Sequence, residues 1–119
     1  MKELRKSPRV QDRNIVSVTI GGAPDASGLS GEQFFCFSED ISVCGLSFSA
    51  HTAPPVGAML KLNVAFSTPR RSVTNLVGRV TWVQQIPCAA RHVIGVDLSG
   101  SSTTALEKWH KIVVERILG

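Results

Sequence analysis

Two short patterns in the sequence carry side chains suited to holding an anionic, hydrogen-bonding group. The first is Arg5-x-x-x-Arg9 near the N-terminus, and the second is Asp40-x-Ser42-x-x-Gly45 between two predicted strands. An arginine guanidinium is planar and pairs bidentately with phosphate, whereas a carboxylate accepts hydrogen bonds from N–H donors. Each pattern is weak by itself, because two arginines four residues apart usually form a solvated face and because Asp, Ser and Gly are ordinary turn residues.

The other reactive side chains form no recognisable catalytic or metal-binding pattern. The sequence lacks GxSxG, HExxH and GxxxxGK[ST] motifs, and its acidic residues beyond the N-terminal segment are scattered. There is no CxxC pair and no histidine at zinc-finger spacing, so we expect reduced thiols packed as small hydrophobic side chains at Cys36, Cys44 and Cys88. We therefore predict no enzyme activity, no metal and no cofactor.

The elements that must position these residues are mostly strands. Alternating or β-branched segments predict strands over 15–20, 33–38, 46–51, 58–66, 73–83 and 92–98. Gly78 predicts a bulge or bend in the fifth of them. Thr104-x-x-Glu107 fits a capping box, and Trp109 recurs with apolar neighbours at helical spacing, which predicts a helix over 105–118 with Trp109 in the core. The fold class is therefore mainly β, a six-stranded antiparallel barrel, Greek-key-like or up-and-down, with one C-terminal helix plugging an end.

Length and charge distribution divide the chain into an arm and one domain. The chain has 119 residues, and 13 Lys and Arg against 9 Asp and Glu give a net charge of +4. The cations cluster in the first residues, so we expect a flexible basic arm over 1–13 that carries the two arginines, followed by a barrel domain over 14–119. No stretch resembles a secretory signal or a transmembrane span, which predicts a cytoplasmic protein without membrane insertion.

The two patterns, in this order and around such a barrel, resemble a PilZ domain of the single-domain type. The resemblance covers nearly the whole chain and includes RKSPRV, SEDISVCGLSF, PPVGAMLKLNV, LVGRVTWV and VIGVDL. The first two stretches carry the specificity, whereas many small barrels share the strands. The connection over 21–31 is longer and richer in glycine than the family's usual pattern, which leaves its role open. PilZ domains are bacterial receptors for cyclic di-GMP, so the resemblance implies a nucleotide-binding module for second-messenger signalling without catalysis.

The resemblance also implies roles for the two motifs. Arg5 and Arg9 would bind phosphate and guanine, because the guanidinium pairs with phosphate or with guanine O6 and N7 and stacks on a base. Asp40 and Ser42 would bind the guanine edge and phosphate, and Gly45 would shape the loop.

Further candidates lie around these motifs. Trp82 would contact a purine or, equally well, pack as a rim residue, while Arg79 and Lys6 are secondary ligand-binding candidates. Arg9-x-x-x-Arg13 is an alternative register, but Arg9-Val10 leads into the first strand as the family's second arginine does. The residue before the motif is Leu4, which lacks the charge and stacking plane that a second nucleotide needs, so we expect one cyclic di-GMP per chain.

The implied partner is a separate, unidentified effector protein that responds to the nucleotide-bound conformation. A PilZ-like adaptor that has lost nucleotide binding is disfavoured, because both motifs are intact. The alternative function is binding of single-stranded nucleic acid by a small β-barrel, which needs exposed aromatic platforms in a basic groove. We expect Phe34, Phe35, Phe37 and Phe48 to follow core alternation without flanking cations, which makes nucleic acid an unexpected partner.

Overall fold

A computed structural model describes residues 10–22, 31–51, 53–67 and 71–118. These residues form strands and one helix, in the order β1 (Val10–Gln11), β2 (Ile15–Gly22), β3 (Gln33–Ile41), β4 (Gly45–Ala50), β5 (Met59–Phe66), β6 (Ser72–Gln85), β7 (His92–Asp97) and α1 (Thr103–Leu118). The six longer strands correspond to the six predicted ones. β1 was not predicted; it lies at the end of the predicted N-terminal arm, and residues 1–9 of that arm lie outside the described residues.

The six longer strands close into an antiparallel barrel. Their order is β3-β2-β5-β6-β7-β4, and β4 pairs back with β3. An up-and-down barrel would pair β4 with β5, whereas here β2 pairs with β5 and β4 with β7. The predicted six-stranded antiparallel barrel with a C-terminal helix is confirmed, and its strand order is of the Greek-key type.

Strand alternation fills the barrel interior. On β5, Leu60, Leu62 and Val64 are fully buried, whereas Lys61 and Asn63 between them are exposed. Aliphatic side chains from the other strands meet this row, so the core is continuous around the barrel axis. The strand predicted over 58–66 is confirmed as β5.

The aromatic residues of β3 do not all belong to that core. Phe48 on β4 is fully buried and contacts the half-buried Phe34, with ring centroids 6.1 Å apart. Phe35 and Phe37, however, are 73% and 45% exposed. The prediction that all four phenylalanines follow core alternation is wrong for these two, because successive side chains of a strand point to opposite faces and Phe34 and Cys36 take the inner one.

Helix α1 packs on one end of the barrel. It begins at Thr103, and the Ser102 hydroxyl accepts a hydrogen bond from the Ala105 N–H at 3.2 Å, so Ser102 is the N-cap rather than the predicted Thr104. Trp109 is fully buried, as predicted, and its ring contacts that of Phe66 at a centroid distance of 5.9 Å. No helix in the described part of the chain is long and apolar enough to cross a membrane.

The cysteines are free thiols in three different environments. Cys36 is buried on β3, and its Sγ lies 3.7 Å from the Val16 carbonyl oxygen. Burial raises the pKa of the Cys36 thiol from 9.0 to about 12, although the nearby Arg91 charge lowers it slightly. Cys44 and Cys88 are exposed. The expectation that all three pack as small hydrophobic side chains is therefore wrong for these two, which lie in a turn and a loop.

Candidate functional site

Ser42 and Gly45 hold the turn between β3 and β4. Their backbones exchange N–H···O bonds of 2.9 and 3.3 Å, and the Ser42 hydroxyl accepts from the Gly45 N–H at 3.2 Å and donates to the Gly45 carbonyl at 3.3 Å. A Cβ at Gly45 would lie within 3.0 Å of the Val96 carbonyl oxygen, so only glycine lets β4 approach β7 here. The Ser42 side chain is 6% exposed and is engaged within this turn.

Asp40 occupies a different position from the other two residues of its motif. It pairs with Ser47 on β4 and with Gln11 on β1, next to an irregularity in register between Ser38 and Asp40. Its side chain is half-buried and lines a cavity on the outer face of the barrel. Of the three motif residues, Asp40 is the one whose side chain lines this cavity.

Trp82 reaches the same outer face because of a bulge in β6. Val80 pairs with Val96 and Trp82 with Gly95, so Thr81 is an extra residue between the two pairs. Without it, the alternation would direct Trp82 into the barrel, where Val80 already points.

Gly78, where the sequence predicts a bulge or bend, is not the position of the β6 bulge. Gly78 is buried and regularly paired with Leu60, and a Cβ there would collide with the Val96 side chain. Gly78 therefore does not form the bulge of β6, which lies at Thr81, and it leaves room in the core for the Val96 side chain.

The Trp82 indole lies directly on the backbone of Gly95. A Cβ at Gly95 would come within 3.0 Å of the indole Cε2 and Nε1 atoms. Across the sheet Gly95 pairs with Ser47, and Ser47 pairs with Asp40. The four residues thus form one row over β3, β4, β7 and β6, with a carboxylate at one end and an indole at the other.

Three residues of this row, Asp40, Ser47 and Trp82, line an open cavity of about 540 Å³. The rest of its lining comes from Gln11, Glu39, Gln84, Ile86 and Val93. We call it the Asp40–Trp82 cavity. Its lining combines hydrogen-bonding side chains with one large aromatic surface, which suits a planar ligand that also has polar edges.

Strand β1 brings the end of the N-terminal segment to this cavity. Val10 pairs with Ile41 and Gln11 with Asp40, so the chain that directly follows Arg9 runs beside the aspartate. Arg5, Lys6 and Arg9 themselves, and Leu4, lie outside the described residues.

The segment between β1 and β2 is fixed to β3. The Asp12 N–H donates to the Glu39 carbonyl at 3.1 Å, and the Ser38 hydroxyl donates to the Asp12 carbonyl. Asn14 and Ser38 add two further bonds of 2.9 Å, from the Ser38 N–H to the Asn14 carbonyl and from the Asn14 N–H to the Ser38 hydroxyl. The position of β1 beside Asp40 is therefore determined by several hydrogen bonds.

Two other predicted or alternative residues lie away from the cavity lining. Arg79 is exposed on β6 opposite Asp97, the next outward pair along the ladder from Trp82. The Arg13 guanidinium lies over the Phe37 ring at 4.8 Å, three residues before Asp40 on β3, and neither residue lines the cavity. The structure thus brings Asp40 and Trp82 together, while Arg79 lies one row further along the sheet.

Helix α1 contacts both motif-bearing segments. The Trp109 Nε1–H donates to the Ser42 carbonyl at 2.8 Å, inside the core. The Arg116 guanidinium lies 3.5 Å from the Asp12 carboxylate and also stacks over the Phe66 ring at 5.2 Å. The sequence reveals neither contact, because both join residues far apart in the chain.

Comparison with known proteins supports the same architecture. No family model matches the sequence, and no curated protein does. Among solved structures, the chain is similar to the Bacillus subtilis inhibitor of motility MotI/DgrA, with a TM-score of 0.75 and 13% identity over 98% of this chain and 53% of that one. It is also similar to the PilZ domain with cyclic di-GMP of YcgR from Escherichia coli, with a TM-score of 0.66 and 13% identity over 98% and 95% of the two chains.

A third similar structure is the cyclic di-GMP complex of MrkH from K. pneumonia, with a TM-score of 0.70 and 16% identity over 98% of this chain and 53% of that one. The chain thus spans about half the length of the Bacillus and Klebsiella proteins and nearly all of the isolated YcgR domain. These identities are low, so the similarity concerns the fold. The barrel, its closing helix and these structural matches lead to one conclusion: the chain has the fold of a PilZ domain.

Proposed function

We propose that this protein is a receptor for cyclic di-GMP that binds the nucleotide at the Asp40–Trp82 cavity. The observation that carries the proposal is the pairing of Gln11, two residues after Arg9 in the sequence, with Asp40. The similar structures of YcgR and MrkH are complexes with cyclic di-GMP, which supports the proposal.

The chemistry of the cavity matches the ligand. Guanine N1–H and N2–H are donors, and the Asp40 carboxylate is an acceptor on the cavity wall. The Trp82 indole offers a surface for a purine at the opposite end of the row. Arg5 and Arg9 supply charge and planar donors for phosphate and guanine, and Lys6 and Arg79 add positive charge around them.

Ser42 and Gly45 contribute through the turn. Because the Ser42 hydroxyl already bonds to Gly45, we assign both residues to holding the turn, which fixes the backbone after Asp40. The register Arg5/Arg9 is favoured over Arg9/Arg13, because the Arg13 guanidinium lies over Phe37 rather than in the cavity lining.

Signal output to a separate effector protein is part of the proposal. Trp109 bonds to the carbonyl of Ser42, and Arg116 pairs with Asp12, so α1 contacts the segments that adjoin both motifs. A shift of either segment on nucleotide binding would change the position of α1 on the barrel. The exposed part of that helix is then the surface that differs between the free and bound states.

Calorimetric titration with cyclic di-GMP tests the proposal. We expect Arg5→Ala, Arg9→Ala and Asp40→Asn each to weaken binding at least tenfold, since loss of one charged partner of a desolvated contact costs about 2–5 kcal/mol. Arg13→Ala is the matched control and should bind like the wild type. Wild-type protein that binds no cyclic di-GMP, or an Arg13→Ala variant that loses binding while Arg5→Ala keeps it, contradicts the proposal or its register.

The same titration measures stoichiometry. With Leu4 before the arginine motif, we expect one nucleotide per chain, and Leu4→Arg should raise the value towards two. A wild-type value of two would show that a second cation is not required.

Binding of single-stranded nucleic acid is the second candidate, and the exposed Phe35 and Phe37 favour it. Such barrels also need a basic groove that follows the phosphate backbone. Within the described residues, the cations next to this aromatic surface are Arg13 over Phe37 and Arg91 at the other side. Two cations support only weak, salt-sensitive attraction, so a labelled oligothymidine should show no binding by fluorescence anisotropy at physiological salt.

A further inference from the structure

A second cavity, of about 760 Å³, opens on the other half of β3. It is lined by apolar side chains of β2 and β3 together with the end of β4 and the loop before β7, including Ile15, Phe34, Phe35, Phe37 and Arg91. We call it the β3 groove. It shares no lining residue with the Asp40–Trp82 cavity, so it is independent of the proposed nucleotide site.

The groove runs along a part of β3 that has β2 on one side and, among the described residues, no strand on the other. The β3–β4 ladder extends from Ile41 paired with Leu46 to Phe37 paired with Ser49, and β4 then ends at Ala50. β3 continues to Gln33, with β2 on its other side. The barrel is therefore splayed open beside the first residues of β3.

The hydrogen-bond pattern shows which backbone groups face this opening. The Ile20 N–H donates to the Glu32 carbonyl, and the Ser38 N–H donates to the Asn14 carbonyl, both at 2.9 Å. Bonds of an antiparallel ladder recur on every second residue, so the even-numbered residues of β3 bond to β2. The N–H and C=O of Phe35 consequently point away from β2 and into the groove.

The side chains around this edge are apolar and aromatic, with cations at the rim. Phe35 is 73% exposed and Ile15 is 52% exposed, and both lie on the outer face of the sheet. The Arg13 guanidinium stacks on Phe37, and the Arg91 guanidinium reaches the groove while bonding to Ser49 at 2.7 and 3.2 Å. None of the residues that line the groove is acidic.

From these features we infer that the β3 groove binds an extended, acidic and apolar segment of a partner protein, which adds as a strand to β3. The main chain of the segment would bond to the N–H and C=O of Phe35. Its side chains would alternate between the interior, against Phe34, and the outer face, against the exposed aromatic rings. Carboxylates at its ends would lie within reach of the rim arginines, which gives the charge complementarity that selects the segment.

Peptide binding to the intact protein tests this inference. The probe is a fluorescein-labelled peptide of alternating Asp and Val, and the charge control is the same peptide with Lys in place of Asp. We expect the Asp/Val peptide to bind at least tenfold more tightly than the Lys/Val peptide. A version with Pro at alternate positions, which cannot donate to a ladder, should also lose at least tenfold. No binding of the Asp/Val peptide up to about 1 mM, or equal binding of the Pro version, overturns the inference.

Variants locate the binding surface. Phe35→Ser should weaken peptide binding at least tenfold, and because this side chain is largely exposed the variant should keep its melting temperature. Val56→Ser is the matched control, since Val56 is 56% exposed but lies outside the groove lining, and it should bind as the wild type does. Equal loss in both variants overturns the location.

Hydrogen exchange and a competitor separate strand addition from other modes of binding. In the complex the Phe35 amide should exchange more slowly, whereas the Phe34 amide, already turned towards β2, should change little. Labelled oligothymidine that binds here and displaces the peptide would identify the groove as a nucleic-acid site and overturn the inference. All of these measurements are made without cyclic di-GMP, so they stand apart from the test of the proposed function.

Discussion

The contact between Gly95 and the Trp82 indole makes a quantitative prediction. Gly95→Ala places a methyl group where the indole Cε2 and Nε1 atoms lie, closer than 3.0 Å. Forcing a group into a filled site costs about 1–3 kcal/mol, whereas replacing glycine restricts the unfolded chain and stabilises the fold by about 0.4–1 kcal/mol. The midpoints of these two ranges give a net loss of about 1.3 kcal/mol in the free energy of unfolding.

The second variant isolates the clash. In a Trp82→Ala background the indole is gone, and Gly95→Ala keeps only the entropic effect. The same substitution should then be neutral or stabilising by up to about 1 kcal/mol. The coupling energy between the two positions should therefore be at least about 1 kcal/mol.

Urea denaturation followed by circular dichroism measures all of these values. The four proteins of this double-mutant cycle are compared with Gly100→Ala, whose added Cβ would have no atom within 4 Å and which should therefore be neutral or stabilising by up to about 1 kcal/mol. If Gly95→Ala costs the same with and without the indole, then the Trp82 indole does not lie against Gly95.

Three further perturbations follow from other contacts. Trp109→Phe removes the shorter of the two hydrogen bonds that the Ser42 carbonyl accepts, while the Gly45 N–H still donates to it, so loss of the bond should cost about 0.5–1.5 kcal/mol in urea denaturation. Gly45→Ala should destabilise more than Gly95→Ala in the same assay, because its Cβ would meet the Val96 backbone, which cannot rotate away. The Cys36 pKa is raised in the folded protein, so its neutral thiol stabilises the fold below pH 9. The stability of the wild type relative to Cys36→Ala should fall as the pH rises from about 9 towards about 12; a constant difference across that range would contradict the buried thiol.

The sequence predicted the strands well where one face is apolar and the other polar. β5 is such a case, since Leu60 and Leu62 alternate with Lys61 and Asn63, and a single register satisfies both faces. β3 is different, because its QFFCFS stretch is apolar on both faces and alternation cannot identify which phenylalanines point inward. The burial of Phe34 and the exposure of Phe35 are settled only by the pairing with β2.

The candidate site was predictable in part for a related reason. Asp40 stood out by residue type and spacing, but its neighbour Ser42 has the same signature whether it contacts a ligand or holds a turn. For Trp82 the sequence could not decide between contact with a purine and packing as a rim residue. One extra residue, Thr81, determines on which side of the sheet the indole lies, and no residue type indicates such an insertion. β1 was missed because its Val10–Gln11 segment gains its strand conformation from pairing with β3.

The row from Asp40 through Ser47 and Gly95 to Trp82 also fixes when the site appears during synthesis. β4 has β7 as its neighbour, so the first half of the chain cannot complete this surface alone. A nascent chain that ends before residue 92 holds Asp40 and Trp82 but lacks the strand between β4 and β6. Such non-local pairing slows folding and keeps apolar strands unpaired while the ribosome is still translating. The pairs of Asp40 with Gln11 and Ser47 need only β1, β3 and β4, but the cavity is complete only when β7 joins Ser47 to Trp82.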